Sequence, residues 1–298
     1  MNIGINPLVT VYIPSHNRSE LLSRAILSVK NQTYKNIELI IFLDGCNDDS
    51  EDMISKIDFS DIYKVKVIKS ITSKGACFAR NRCIEISEGD YITGLDDDDL
   101  FEATRIECLL KKEHELSNKG VDHSFIYSNT KVIMPKKIKV KTRLPKVDIN
   151  TILIRNCVGN QVFLKKEKLI SAGLFDESLP AWQDYELWIR LIARFGDAYL
   201  DKNASYYVDV SHPHERISKS PEKIEKALNI VKNKHAGLIS NRKLEILNLN
   251  ILNYGMECQD MNFFEFMKMI TFCRRFDEVS FLVEVYARIK RNNILRLL

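Results

Sequence analysis

No stretch of this 298-residue chain is apolar for long enough to cross a membrane. The longest near-candidate, Ile37 to Leu43, is strand-sized and contains Glu38, whereas a spanning helix needs about 20 apolar residues. The opening Met1-Asn2-Ile3-Gly4-Ile5-Asn6-Pro7 lacks the basic start and apolar core of a secretory signal. The seven cysteines (Cys46, Cys77, Cys83, Cys108, Cys157, Cys258, Cys273) are scattered, odd in number and without a C-x-x-C. They read as reduced thiols rather than a disulfide frame or a zinc site. Together these absences predict a cytoplasmic protein, soluble or at most peripheral to the membrane. Net charge is only +4, from 44 basic and 40 acidic residues, which carries no nucleic-acid signature. The first strand-to-helix turn has no G-x-G-x-x-G, and no G-x-x-x-x-G-K-[ST] loop follows. A dinucleotide dehydrogenase or P-loop enzyme therefore loses its main support.

What is present is an alternation of strands and helices. Leu8-Val9-Thr10-Val11-Tyr12-Ile13-Pro14 is β-branched and apolar, and Pro14 stops it. Ser15-His16-Asn17-Arg18-Ser19 is the turn, with Ser19 able to cap a helix from Glu20. Leu21, Leu22, Ala25, Ile26 and Val29 then recur at helical spacing. Ile37–Leu43 and Val65–Ile68 read as further strands, Gly75–Ser87 as a helix, and Tyr91-Ile92 as the end of the next strand. Continuously apolar strands alternating with helices indicate a parallel sheet covered on both faces. Ligands of such sheets sit outside the carboxyl ends of the strands. That edge collects Ser15–Arg18, Asp44 and Asp96–Asp99. The run Asp96-Asp97-Asp98-Asp99 is self-repelling. It is either an acidic, solvated turn or a site for Mg²⁺ or Mn²⁺ with substrate phosphates, and its place directly after an apolar strand favours the metal.

Beyond it, 107–116 reads as a helix, 124–128 as a strand and 163–172 as a short helix. Between Lys131 and Lys146 lie seven basic residues (Lys131, Lys136, Lys137, Lys139, Lys141, Arg143, Lys146) and no acid. Lys137, Lys139 and Lys141 alternate with Ile138 and Val140, the pattern of a half-exposed strand. This is a solvated hairpin, or an electropositive wall for a phosphate-bearing acceptor or an anionic lipid surface. A helix around Leu187, Trp188 and Leu191 carries Asp184 in its first turn, where the helix dipole stabilises a carboxylate. A strand at 206–210 delivers His212 and His214, either surface side chains or contacts to a metal or diphosphate. From Ser220-Pro221 onward the composition becomes helical, which divides the chain into 1–220 and a helical extension, 221–298. The extension ends in a basic amphipathic helix with Arg288, Lys290, Arg291 and Arg296. It packs on the main domain, touches a membrane surface, or joins subunits in an oligomer.

Four segments, in order and spacing, resemble family 2 glycosyltransferases, nucleotide-sugar enzymes with the GT-A fold. Val9 through Arg18 is similar to the family's opening. Asp44-Gly45-Cys46-Asn47-Asp48-Asp49-Ser50 resembles its D-G-S-x-D-x-[ST] loop, with Cys46 replacing Ser. Gly75-Ala76-Cys77-Phe78-Ala79-Arg80-Asn81 resembles G-x-x-x-A-R-N, and Gly89 through Asp99 resembles G-x-[YF]-[IL]…L-D-x-D-D. Further on, Gly173–Glu177 and Gln183–Trp188 resemble G-x-F-D-E…E-D-x-[DE]-L-W, with Gln183 where the pattern has Glu. The resemblance covers residues 8 to about 220.

It implies an α/β, Rossmann-like GT-A domain with a mostly parallel sheet, and a metal-dependent transfer from a nucleotide-sugar to a saccharide or lipid-linked saccharide. Bacterial surface polysaccharide is the expected product class. Donor-binding residues by this likeness are Pro14, Ser15, Asn17, Arg18, Asp44, Lys74, Gly75, Arg80, Asp96 and Asp97. Asp44 would contact a uracil-type base, which favours a UDP-sugar. Asp98 is the expected ligand of Mn²⁺ or Mg²⁺, with Asp96 and His212 or His214 beside it. Asp184 is the expected base, and Trp182, Gln183 and Glu186 would border the acceptor. Plain alternatives are a helix-surface ion pair for Arg80 and a helix N-terminal charge for Asp184. Competing functions are a metal-dependent phosphohydrolase or nucleotidyltransferase, and a non-catalytic nucleotide-sugar-binding protein suggested by Gln183.

Overall fold

A computed structural model describes residues 6–212 and 220–238. In chain order its elements are β1 (Val9–Ser15), α1 (Ser19–Lys30), β2 (Ile37–Asp44), α2 (Ser50–Ser55), β3 (Lys64–Ser70), α3 (Ala76–Ile86) and β4 (Tyr91–Gly94). Then follow β5 (Leu100–Phe101), α4 (Arg105–Asn118), β6 (Ile126–Met134), β7 (Lys137–Lys141), β8 (Lys146–Val147) and α5 (Ile149–Ile152). The last are β9 (Phe163–Lys165), α6 (Lys166–Ser171), α7 (Gln183–Phe195), β10 (Ala198–Asp209) and α8 (Pro221–Lys234).

The strands form one mixed sheet in the order β3-β2-β1-β4-β9-β6-β10-β5, with β7 added to β6 and β8 to β10. β1, β2, β3 and β4 run parallel, while β9 is antiparallel to both of its neighbours. The chain steps from β1 outward to β2 and β3, then returns to place β4 on the other side of β1. This reversal opens a crevice at the carboxyl ends of β1 and β4, where open α/β sheets bind ligands.

Although β1 and β2 read as unbroken apolar runs, their side chains still alternate between two cores. Val9, Val11, Ile13, Leu39 and Ile41 pack with α1 and α4 on one face. Tyr12, Ile40 and Phe42 pack with α3, α7 and α8 on the other. Glu38, near the start of β2, is fully buried. It accepts from Thr10 Oγ1 (2.6 Å) and the Glu88 amide (2.7 Å) and pairs with Lys66 (2.7 Å). A buried charge tied this way stitches β1, β2, β3 and the approach to β4 together.

Several local expectations are corrected. Ser19 does not cap α1: Arg18 occupies the cap position without a side-chain bond, and the Ser19 amide donates to Asp48 Oδ2 at 2.9 Å. The cap comes from the loop after β2. Removing it leaves an orphan amide, so Asp48→Ala should cost about 1 kcal/mol, measurable as a lowered urea midpoint with an unchanged slope. Phe163–Lys165 is a strand, and the helix begins only at Lys166. The backbone amides of Phe163–Lys165 are drawn into the sheet by the open edge of β4, a long-range effect that helical spacing does not report. β7 is exposed on both faces, not one.

Of the helical extension, only its first element falls within the described residues. α8 buries Ile224, Ala227, Leu228 and Val231 in the same core as α7. The rest of the extension, 239–298, lies outside the described residues. The basic helix near the C-terminus lies outside the described residues. Among those described, no helix is long and apolar enough to cross a membrane, and Cys46, Cys77, Cys83, Cys108 and Cys157 are free thiols.

Candidate active site

The crevice at the strand ends is a cavity of about 790 Å³, within the usual range of small-ligand sites. Its wall includes Pro14, Ser15, Arg18, Asp44, Gly75, Arg80, Asp96–Asp99, Trp182, Gln183 and Asp184. β1 delivers Pro14 and Ser15, β2 delivers Asp44, β4 delivers the four aspartates, and the start of α7 delivers Asp184.

The self-repelling aspartate run is accommodated by a ring of donors, some shared between neighbouring carboxylates. Asp96 accepts from Arg80 Nη2 (2.9 Å), Gln161 Nε2 (2.9 Å) and Asn160 Nδ2 (2.8 Å). Asp97 accepts from Ser15 Oγ (2.7 Å) and Arg18 Nη1 (2.9 Å). Asp99 is buried behind them, held by Tyr206 Oη (2.8 Å), the Asp209 amide (3.0 Å) and Asn160 (3.1 Å). Tyr206 is itself braced by Arg105, whose guanidinium lies 5.0 Å from its ring and donates to Ser128 and Ser205. Burial pushes the pKa of Asp97 up, and burial with the charges of Asp96 and Asp98 pushes that of Asp99 well up. Asp98 Oδ2 lies 3.2 Å from His212 Nε2 and 3.3 Å from Arg18 Nη1. Arg80 is thus bound to the cavity floor through Asp96 and stacks over Phe175 at 5.4 Å; it is not paired along its own helix surface.

Asp44 lines the cavity and is also engaged within the chain. Its carboxylate already accepts four hydrogen bonds: from Ser70 Oγ (3.1 Å), Ser73 Oγ (2.8 Å) and the amides of Lys74 and Gly75 (2.8 Å each). Burial pushes its pKa up, but these donors outweigh burial and hold it below the usual value. Contact with a base would have to displace one of the hydroxyls. Gly45 makes the arrangement possible: its φ is +62°, and a Cβ there would stand 2.3 Å from the Ser73 amide nitrogen. Asp44 therefore anchors the 70–75 loop at the cavity rim. In Asp44→Ala without nucleotide, the Lys74 and Gly75 amides should exchange with deuterium at least about tenfold faster, matching the loss of one charge-assisted bond; unchanged exchange would leave only a ligand-contact role.

Asp184 is the second residue of α7 and receives a hydrogen bond from Asn156 Nδ2 at 3.1 Å. Burial pushes its pKa up, opposed by the Tyr185 amide and by Arg80. Trp182, just before it, adopts φ +61°, a left-handed conformation unusual for a large side chain and characteristic of functional turns.

Four of the expected site residues that are described, Asn17, Lys74, Glu186 and His212, are not in the cavity wall, although His212 meets Asp98, which is. Asn17 turns its Oδ1 to the Asn47 amide. Lys74 contributes its amide to Asp44 and lays its amine over Phe78 at 4.7 Å. Glu186 is fully buried against Arg190 and His235, because one helical step of about 100° past Asp184 and its neighbour turns it from the cleft into the core. His214 lies outside the described residues. In turn, the sequence reading missed Asn156, Asn160 and Gln161, which lie in the loop between α5 and β9 and make the bonds to Asp184, Asp96 and Asp99. Their polar clustering beside Gly159 was the only local signal.

Among the described residues no three His, Cys, Asp or Glu side chains converge as metal ligands. The Asp98–His212 pair supplies one hard oxygen and one imidazole, a partial set that suits an ion completed by phosphate and water, as Mg²⁺ and Mn²⁺ commonly are.

A crevice large enough for a nucleotide-sized ligand at a topological switch point, with cations, an aspartate cluster and a separate buried carboxylate, has the make-up of a group-transfer site of the nucleotide-binding α/β class. Residues 10–165 match the model of Glycosyl transferase family 2, and the chain belongs to that family. It is a glycosyltransferase, which sets aside the phosphohydrolase, nucleotidyltransferase and non-catalytic readings. WcaA of Escherichia coli K12, named for colanic acid biosynthesis, is 33% identical over 223 residues, 73% of this chain and 78% of that protein. WfgD of Escherichia coli, named a UDP-Glc:α-D-GlcNAc-diphosphoundecaprenol β-1,3-glucosyltransferase, is 31% identical over 188 residues, 62% of this chain and 70% of that one. The structure of Staphylococcus aureus TarS 1–349 in complex with UDP-GlcNAc superimposes with a TM-score of 0.63 at 14% identity, covering 93% of this chain and 79% of that one. A Pyrobaculum calidifontis mannosyltransferase in complex with GDP-Man and Mn²⁺ gives 0.56 at 13% identity, covering 96% and 88%. These two likenesses establish a GT-A-like fold.

Proposed function

We propose that the protein is an inverting, divalent-metal-dependent glycosyltransferase that moves a sugar from a UDP-sugar to an acceptor hydroxyl during synthesis of a bacterial surface polysaccharide. The observation that carries this reading is a single cavity lined by Asp96–Asp99 and by Asp184, the latter buried and held by Asn156. Relatives support the nucleotide and product class: one is named for UDP-Glc, one is solved with UDP-GlcNAc, and one is named for colanic acid.

Ser15, Arg18, Arg80 and the loop anchored by Asp44 border the space for the donor. Arg18 and Arg80 are the cations nearest the aspartates and suit its diphosphate. Asp98 with His212, beside Asp96, would hold Mn²⁺ or Mg²⁺; when bound, such an ion supplies Lewis-acid neutralisation of a leaving diphosphate. Asp184 takes the proton of the acceptor hydroxyl onto a carboxylate oxygen, while Asn156 fixes the orientation of the other oxygen. Its raised pKa makes it a stronger base than a solvated carboxylate and brings proton transfer closer to balance. One base and one direct displacement invert the anomeric carbon. Trp182 and Gln183 border the acceptor's approach, with Gln183 folded back to the Leu179 carbonyl at 3.2 Å.

The test is a panel of UDP-sugars with extracted lipid-linked and free saccharide acceptors. UDP released in step with acceptor-bound sugar of inverted configuration is the expected result. Retained configuration, or turnover restricted to GDP- or dTDP-sugars, would contradict the mechanism or the donor respectively.

A further inference from the structure

Of the aspartate run, Asp99 alone has no part in holding the donor or the ion. Its side chain is almost fully buried, at 2% exposure, and the groups that meet it come from separate pieces of chain. Tyr206 Oη on β10 donates to Oδ2 at 2.8 Å, and so does Asn160 Nδ2, from the loop between α5 and β9, at 3.1 Å. The amide of Asp209, the last residue of β10, donates to Oδ1 at 3.0 Å. Donors therefore converge on both oxygens, which an ionised carboxylate satisfies and a side-chain amide does not. The Asp99 amide in turn donates to the Asp96 carbonyl at 3.0 Å, closing the turn that presents Asp97 and Asp98.

Each of these bonds fixes something the site needs. The Asn160 amide that meets Asp99 also holds Asp96 Oδ2. The Tyr206 hydroxyl also receives the Asp96 amide at 3.4 Å. Its ring is locked edge-on to Phe101 at 5.8 Å, where β5 and β10 pair, and against the buried Arg105 guanidinium. The Asp209 bond fixes the end of β10, and three residues further on His212 Nε2 stands 3.2 Å from Asp98 Oδ2. Asp99 thus lies at the root of both members of the Asp98–His212 pair, one beside it on the turn and the other through Asp209. An Asn at this position cannot serve every donor. With its oxygen toward Tyr206 and Asn160, its NH₂ faces the Asp209 amide; turned over, it faces Asn160 Nδ2, again donor against donor.

We propose that Asp99 is a positioning residue: it holds Asp96 and the Asp98–His212 pair in the arrangement that accepts a divalent ion, and itself touches neither ion nor donor. Tyr206 acts with it, as the fixed hydroxyl that aligns the carboxylate. This rests on the metal-dependent transferase reading above and adds the residues that build its ion site from behind.

The test is calorimetric titration of UDP into the full chain at a series of Mn²⁺ concentrations, with thermal melts of the same samples. Asp99→Asn should raise the Mn²⁺ concentration that gives half of the ion-dependent gain in UDP affinity by about tenfold, the scale of one hydrogen bond to a charged group. UDP affinity without Mn²⁺ should stay as in the wild type, which reports an intact fold and donor pocket. Tyr206→Phe keeps the ring and removes only the hydroxyl; it should move the same quantity severalfold in the same direction, and it decides the matter if Asp99→Asn does not fold. Variants that melt lower but need no more Mn²⁺ than the wild type would overturn the proposal, leaving Asp99 a role in stability alone. Equal loss of UDP affinity with and without Mn²⁺ would also overturn it, in favour of a role in the donor pocket. Wild-type UDP binding that ignores Mn²⁺ would remove the metal-dependent reading and this proposal together.

Discussion

Asp184→Asn should lower kcat by about 10²- to 10⁴-fold, the range of a lost general base, while UDP affinity and thermal stability stay unchanged. The substitution keeps the shape, and the new amide oxygen can still accept from Asn156; only the proton acceptor is removed. A merely structural role would instead show as a lower melting temperature with kcat preserved. The pH profile adds a second readout. Burial raises the Asp184 pKa, so the acid limb of kcat/KM should lie above the ordinary carboxylate range near pH 4. Activity falls as pH drops through that raised value, because the protonated form cannot accept.

Glu186→Gln should destabilise the fold by about 3 kcal/mol at neutral pH, the cost of breaking a buried ion pair from one side. Glu186 is fully buried on α7, receives Arg190 at 2.7 and 2.9 Å within its helix, and meets His235 at 3.0 Å just past the end of α8. Lys234 also approaches at 3.1 Å but is about a third exposed and adds little. The network clamps α8 onto the helix that carries Asp184. Burial pushes the Glu186 pKa up, but His235 and Arg190 outweigh burial and bring it down to about 2 from 4.5. A depressed carboxylate pKa gives stability that is complete above the unfolded value and is lost as pH falls through the folded one. Wild type and Glu186→Gln should therefore differ most above pH 4.5 and converge as pH approaches 2. Thermal melts at pH 7 and pH 3 measure this; a constant gap would show that charge at Glu186 is not what matters.

What the sequence made legible follows from range. β-Branched apolar runs such as Val9–Ile13 specify strands locally, and alternation with helices restricts the sheet to the parallel kind over β3-β2-β1-β4. Strand ends then had to hold the site, so Asp44 and Asp96–Asp99 could be placed without coordinates. Asp184 was singled out by its resemblance to the Asp of G-x-F-D-E…E-D-x-[DE]-L-W, together with its place in the first turn of an apolar-faced helix. The partners that tune these residues were not legible. Asn160 reaches Asp96 across 64 residues and Tyr206 reaches Asp99 across 107. Loop side chains with no periodicity become specific only when folding brings them together. The same holds for the second set of contacts at Asp44: the resemblance pointed to a base, and nothing local signalled that its carboxylate also holds a loop 30 and 31 residues away. Glu186 misled for a simpler reason: proximity in sequence to Asp184 is not proximity to the cleft on a helix.

The most direct measurement is calorimetric titration of UDP, with and without Mn²⁺, into the wild type and Asp98→Ala. The account predicts UDP binding that is strengthened by Mn²⁺ in the wild type, with the Mn²⁺-dependent part lost in Asp98→Ala. UDP binding indifferent to both the ion and the substitution, or no UDP binding at all, would contradict a donor site built on the carboxyl ends of β1, β2 and β4.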